Sequence, residues 1–139
     1  MEFQTVARVK VPFRDVDMLG HVNNAVYLSY LETARTEFWE RHFGVDGYMR
    51  MPYILGDMYI RYKAPARIRE VLDLEIRFAS LGNRSFVFEY QVRNGDTGAV
   101  VAEARSTQVM FQLDTGDTFP IPDELRLKAA ELGLVQTAG

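Results

Sequence analysis

The sequence predicts an α+β fold: a five-stranded antiparallel sheet curved around one long helix, with a short helix at its C-terminal end. Three observations predict it. A run of alternating polarity opens the chain, a long run of helical period follows it, and four β-rich segments separated by turn residues fill most of the remainder.

From Phe3 to Val11, the residues Phe3, Ala7, Val9 and Val11 share one parity, while Gln4, Arg8 and Lys10 take the other. That is a strand with one apolar face, and Pro12 ends its ladder because it has no N–H to donate. From Asn24 to Phe43 the period changes. Tyr27, Leu31, Ala34 and Phe38 recur at helical spacing with Tyr30 beside them, which predicts a helix of about 20 residues and roughly 30 Å. Asn23 or Asn24 is the expected N-cap and Gly44 the expected stop.

Beyond Pro52, the segments YILGDMYIRYK, EVLDLEIRFASL, SFVFEYQVR and VVAEARSTQVMFQL read as strands. LGNR (81–84) and NGDTG (94–98) read as hairpin turns, because Gly and Asn-Gly supply positive φ at little cost. PARIRE is a looser connection. IPDELRLKAAELG reads as an amphipathic helix begun by Pro122 and stopped by Gly133. One long helix cannot bury its apolar face alone, and the sheet has a face to cover, so a curved sheet around the helix satisfies both. Its open edges predict pairing with a second copy.

At 139 residues, with no linker, repeat or low-complexity segment, the chain is expected to form a single domain over 1–139. A net charge of −3 argues against non-specific binding to nucleic acid or an anionic membrane. The N-terminal residues have no signal-peptide pattern and no apolar run reaches spanning length, so a cytoplasmic address is expected. The chain has no cysteine, which excludes disulfides, thiolate metal sites and a cysteine nucleophile. His21 and His42 are its two histidines, and no HExxH, GxSxG, GxGxxG or P-loop pattern occurs. Chemistry therefore falls to carboxylates, amides and backbone groups.

Those groups crowd into one junction, VPFRDVDMLGHVNNAVYLSYLE (11–32), between the first strand and the long helix. A helix start offers unpaired N–H groups and roughly half a positive charge. Gly20 lets the backbone pass close to a substrate, and a carboxylate just upstream can attack a carbonyl or activate water. Such an arrangement suits hydrolysis at a carbonyl, with N–H donors on one side of it and a carboxylate on the other. Asp15 and Asp17 are also ordinary turn and capping residues. A calcium loop is excluded: Leu19 holds a ligand position and Val26 stands where the bidentate Glu belongs.

The motif DVDMLGHVNNAVYLSYLETAR and the order of elements resemble the hot-dog-fold acyl-CoA thioesterases of the 4-hydroxybenzoyl-CoA thioesterase type, over roughly Val6 to Leu113. YKAPARIREVLDL is a less specific part of the likeness. The segment also resembles that of plant acyl-carrier-protein thioesterases, but these carry an asparagine where Leu19 stands, so their Asn/His arrangement does not transfer. The resemblance implies that Asp17 is the catalytic carboxylate, with Asp15 supporting it, and that backbone N–H groups near Asn24 polarise the thioester carbonyl. It further implies that Gly20, Asn23 and Tyr27 border the substrate. The site would lie between two subunits of a dimer, or of a dimer of dimers, with no cofactor or metal.

His21 is either a general acid, an orienting group or a loop cap, and Asn23 and Asn24 are caps as readily as ligands. Glu32 and Arg35, three apart on the helix, are expected to pair. Asp57, in an apolar strand, is a weaker second carboxylate. Arg61, Lys63, Arg67 and Arg69 put four cations within nine residues, which suits the phosphates of CoA and equally suits a charge-protected edge strand. Arg84 and Ser85 join them on the resemblance alone. The expected activity is hydrolysis of acyl-CoA; acyl-carrier-protein thioesters and a non-catalytic acyl-CoA-binding module are the alternatives.

Overall fold

The computed structural model describes residues 1–135. In chain order the elements are β1 (Gln4–Lys10), a 3₁₀ turn (Phe13–Asp15), α1 (Val26–Phe43), α2 (Gly47–Arg50), β2 (Tyr53–Tyr62), β3 (Val71–Leu81), β4 (Ser85–Asn94), β5 (Val100–Gln112), β6 (Asp117–Thr118) and α3 (Asp123–Glu131). The sheet runs β1-β3-β4-β5-β2, all antiparallel, and β6 adds to β5. It therefore has six strands rather than the expected five. The extra one is a two-residue return that pairs Phe111 with Thr118 and Gln112 with Asp117, too short to show any period in sequence.

Alternation is strict in β3 and β4, where Leu72, Leu74, Ile76 and Phe78 face Phe86, Phe88, Tyr90 and Val92 in the core. β1 departs from a single parity. A register shift between Thr5 and Ala7 turns Val6 into the core, and the expected inward Phe3 instead lies under the Arg77 guanidinium at 4.0 Å.

Helix α1 buries Tyr27, Tyr30, Leu31, Ala34, Arg35, Phe38, Trp39 and Phe43. Phe38 meets Phe78 and Phe88 edge-on, and Trp39 stacks on Phe86 at 5.7 Å, so the helix sits on the aromatic face of β3 and β4. Its C-terminus is as expected, with Gly44 at φ +82. Its N-terminus is not. The helix begins at Val26 after Ala25, with no side-chain cap, and Asn23 instead accepts the Ala25 N–H in the turn before it.

The hairpins close where the sequence places them but by other means. Gly82 donates to the Ser85 carbonyl without positive φ, and in 94–98 only Gly98 has positive φ. The Asn94 side chain holds that turn by accepting the Asp96 and Thr97 N–H groups. Helix α3 follows Pro122 and ends before Gly133, which has φ +96.

Candidate active site

Residues 15–23 form a tight hairpin between β1 and α1. Val16 bridges to Val22, the Asp17 N–H donates to the His21 carbonyl at 2.8 Å, and the Asn23 N–H to the Asp15 carbonyl at 2.9 Å. Gly20 makes the reversal at φ +78, where any side chain would be strained.

The two aspartates have different surroundings. Asp15 is largely buried and accepts the Tyr30 hydroxyl at 2.7 Å, which ties the hairpin to the first turns of α1. Burial and the Asp15 charge push the Tyr30 phenol well above its ordinary range, so it stays protonated and donates. Asp17 is exposed. Its Oδ1 accepts the backbone N–H of Leu19 at 2.9 Å and of His21 at 3.3 Å, and its Oδ2 has no partner among the described residues.

The helix start follows directly. The Val26 N–H donates to the Asn23 carbonyl and that of Leu28 to the Ala25 carbonyl, but neither the Asn24 nor the Tyr27 N–H has a partner among the described residues. Tyr62, from the end of β2, donates to the Asn24 carbonyl at 3.0 Å and meets the Tyr27 ring edge-on. Burial raises the Tyr27 phenol to about 12. The strand end thereby fixes the Asn24–Ala25 peptide, whose N–H goes to the Asn23 side chain.

The connection between β2 and β3 runs along this hairpin. The Val22 N–H donates to the Ala66 carbonyl at 2.7 Å, His21 bridges to Arg67, and the Arg69 N–H donates to the Val11 carbonyl. Arg67 therefore borders the Asp17 loop through His21, while Arg69, at an unusual positive φ of 69, lies beside Val11 just past the end of β1. Arg61 and Lys63 stand beside Glu103 instead: Arg61 pairs with it across the strands, and the Lys63 Nζ lies 4.0 Å from its carboxylate. Arg84 and Ser85 lie at the far end of β3 and β4 from the hairpin, since Lys10 pairs with Val71 at the near end. Within one chain they are not brought to Asp17. Arg84 there donates to the Thr118 carbonyl at 2.7 Å.

The chain matches the family model described as the thioesterase-like superfamily over residues 11–129. This chain belongs to the thioesterase-like superfamily. Among its relatives, the long-chain acyl-CoA thioesterase FadM of Escherichia coli K12 is 28% identical over 130 residues, 90% of this chain and 96% of that protein. The acyl-CoA thioester hydrolase YbgC of Escherichia coli is 32% identical over 91 residues, 63% of this chain and 68% of the relative. A thioesterase of Thermus thermophilus, solved with coenzyme A and Zn, superposes with a TM-score of 0.81 at 31% identity, covering 91% of each chain.

The hot-dog fold and the hydrolase class expected from sequence are thus established for this superfamily member. Among its described residues no group of three or more His, Cys, Asp or Glu is placed to hold a metal ion, and no helix is long and apolar enough to cross a membrane.

One expectation for this thioesterase is corrected. Arg35 makes no ion pair with Glu32 within 4 Å; it turns inward and donates to the Tyr90 hydroxyl at 3.2 Å, leaving Glu32 exposed. Asp57 sits at a register shift in β2, where its carboxylate accepts the Thr107 N–H at 3.1 Å and takes the place of a lost ladder bond. Tyr30 and Tyr62 were not foreseen as parts of the site. Their partners lie 15 and 38 residues away, beyond any local pattern.

Proposed function

We propose that the protein hydrolyses acyl-CoA thioesters, with Asp17 as the catalytic carboxylate and the N–H groups at the start of α1 as oxyanion donors. The observation that carries this reading is the asymmetry of the Asp17 carboxylate. Two backbone N–H groups fix one oxygen, so the other is held in place yet free, directly before a helix start with unpartnered donors.

In this reading the carbonyl oxygen of the thioester accepts from the Asn24 and Tyr27 N–H groups, and negative charge gathers there as the carbon becomes tetrahedral. Asp17 Oδ2 either attacks that carbon, giving an acyl–aspartyl anhydride that water then opens, or takes a proton from the attacking water. The C–S bond breaks and its electron pair leaves with the CoA thiolate; the acid is the second product. His21, whose backbone is paired to both Asp17 and Arg67, orients the loop. Arg67, beside the hairpin, and Arg69, two residues on, suit the phosphates of CoA.

A second copy completes the site. Phe13, Met18 and Leu19 around the hairpin are exposed in the single chain, and β2 is an edge strand with Tyr59 and Tyr62 exposed. Pairing of copies would cover this apolar surface and would bring Arg84 and Ser85 of one copy within reach of the other's hairpin.

The test is Asp17→Asn. The amide keeps an Oδ1 acceptor for the Leu19 and His21 N–H groups, so the fold and CoA binding should survive while turnover falls about 10²–10⁴-fold. Hydrolysis of the best acyl-CoA at near wild-type rate would remove Asp17 from this role. Acyl-CoA binding with no turnover in the wild type would favour the non-catalytic binding module, and preference for acyl-carrier-protein would redirect the substrate.

A further inference from the structure

A cleft of about 420 Å³ lies between α1 and β2, lined by Arg35, Trp39, Tyr48, Tyr53, Ile54 and Leu55. Its walls are aromatic and aliphatic. At its base is a feature that burial ordinarily forbids: Arg35 is only 9% exposed, yet no carboxylate lies within 4 Å of it among the described residues. A guanidinium removed from water without a counter-charge is destabilising, and buried cations are normally paired.

The neighbours of Arg35 do not supply the missing charge. Its hydrogen bond goes to the Tyr90 hydroxyl, which continues into a closed chain through Ser106 and Gln108 to the Phe86 carbonyl. Burial pushes the Tyr53 and Tyr90 phenols well up, although Arg35 opposes the rise, so both stay neutral. Glu32 and Glu40 line the cleft but are exposed and unpaired with Arg35. A guanidinium has five N–H donors in a rigid fork, more than these neutral hydroxyls can accept. The indole N–H of Trp39, also in the cleft wall, is buried with no partner among the described residues. The cleft therefore carries spare donors and a spare positive charge.

We infer that this cleft receives the far end of the acyl group and that Arg35 selects acyl groups ending in a carboxylate. This rests on the thioesterase reading of the Asp17 hairpin and adds the substrate class. Arg35 stands nine residues beyond Val26, about 13.5 Å along the helix axis at 1.5 Å per residue. Such a separation suits a medium-length dicarboxylic acyl chain whose thioester end lies at the helix start. The aliphatic part of the chain meets Ile54, Leu55 and the aromatic walls, and the terminal carboxylate takes the Arg35 fork.

The experiment compares the monothioester of octanedioic acid and CoA with octanoyl-CoA, which differ at the far end alone. The wild type should prefer the dicarboxylic substrate at least about tenfold in kcat/KM. In Arg35→Met that ratio should fall toward one, and in Arg35→Lys, which keeps the charge without the fork, it should lie between. A wild-type ratio near one, or an Arg35→Met variant that loses both substrates equally, would overturn the inference and leave Arg35 as a support for Tyr90. The wild-type ratio decides even if Arg35→Met fails to fold.

Trp39 is the single tryptophan of the chain and lines the cleft, so its emission gives a readout free of catalysis. Octanedioate should change it saturably, and octanediol, which has no charge, should not. A response to octanedioate in a protein that hydrolyses no thioester would refute the catalytic reading and keep the cleft. No response to octanedioate would overturn the cleft assignment whatever the activity.

Discussion

The Tyr30 hydroxyl and the Asp15 carboxylate meet at 2.7 Å, and through this bond the long helix holds the hairpin that carries Asp17. Asp15 is mostly buried, and beyond the exposed Arg14 guanidinium 3.8 Å from its other oxygen, the Tyr30 hydroxyl is the side-chain hydrogen-bond donor it has among the described residues. Tyr30→Phe removes the donor without changing the packing of the ring and strands the carboxylate. The expected cost is about 1–3 kcal/mol in denaturant unfolding, together with a fall in kcat larger than any rise in KM, because the loop loses its anchor. Unchanged stability and unchanged kcat would show that the hairpin is held by its backbone bonds alone.

His21 serves the site through its backbone: its carbonyl accepts from Asp17 and its N–H donates to the Asp17 carboxylate. Those bonds survive replacement of the side chain. His21→Ala is accordingly expected to lower kcat far less than Asp17→Asn, as steady-state assays of the two variants would reveal. Losses of equal size would make the imidazole a proton donor or acceptor in the reaction rather than a loop residue.

Arg67 bridges to His21 of the hairpin and Arg69 bonds Val11 ahead of it, whereas Arg61 and Lys63 lie by Glu103, so the four cations should not act alike. Replacing Arg67 and Arg69 with Ala should raise KM for acyl-CoA and flatten its dependence on ionic strength. Hydrolysis of an acyl-pantetheine, which lacks the nucleotide, should hardly change. Replacing Arg61 and Lys63 should do less. If both substrates suffer equally from the first pair, the nucleotide binds elsewhere.

What the sequence made legible follows from the range of each interaction. The strands, the long helix and the Asp17 hairpin are encoded by neighbours within a few residues, and the period of Tyr27, Leu31, Ala34 and Phe38 survives intact in α1. The helix cap misled because Asn23 and Asn24 are both good caps; the chain uses Asn23 just ahead of the helix, to hold Ala25, and enters the helix without a side-chain cap. Arg35 misled for a different reason. Glu32 is its neighbour at helical spacing, but the side chain turns inward to Tyr90, which is 55 residues away and visible only once β4 packs under α1. Asp57 likewise reads as a stray carboxylate until the register shift beside it exposes the Thr107 N–H it accepts.

Assembly gives the last prediction. The sheet ends on β1 and β2, and the two edges differ. β1 carries Arg8 and Lys10 in its last three residues, the charges that protect an edge from pairing, whereas β2 carries a single cation, Arg61, next to its end, and exposes Tyr59. The β2 edge is therefore the one expected to meet a second copy. Tyr59→Lys places a charge on that edge, at a position of opposite parity to Tyr62 and its contact with Asn24, and should shift the protein toward monomer in sedimentation. If the site needs a partner to exclude water from the hairpin, specific activity should fall in step with the dimer fraction, both in this variant and on dilution of the wild type. A monomer of full activity would refute the shared site and leave Asp17 standing as the catalyst of a self-contained subunit.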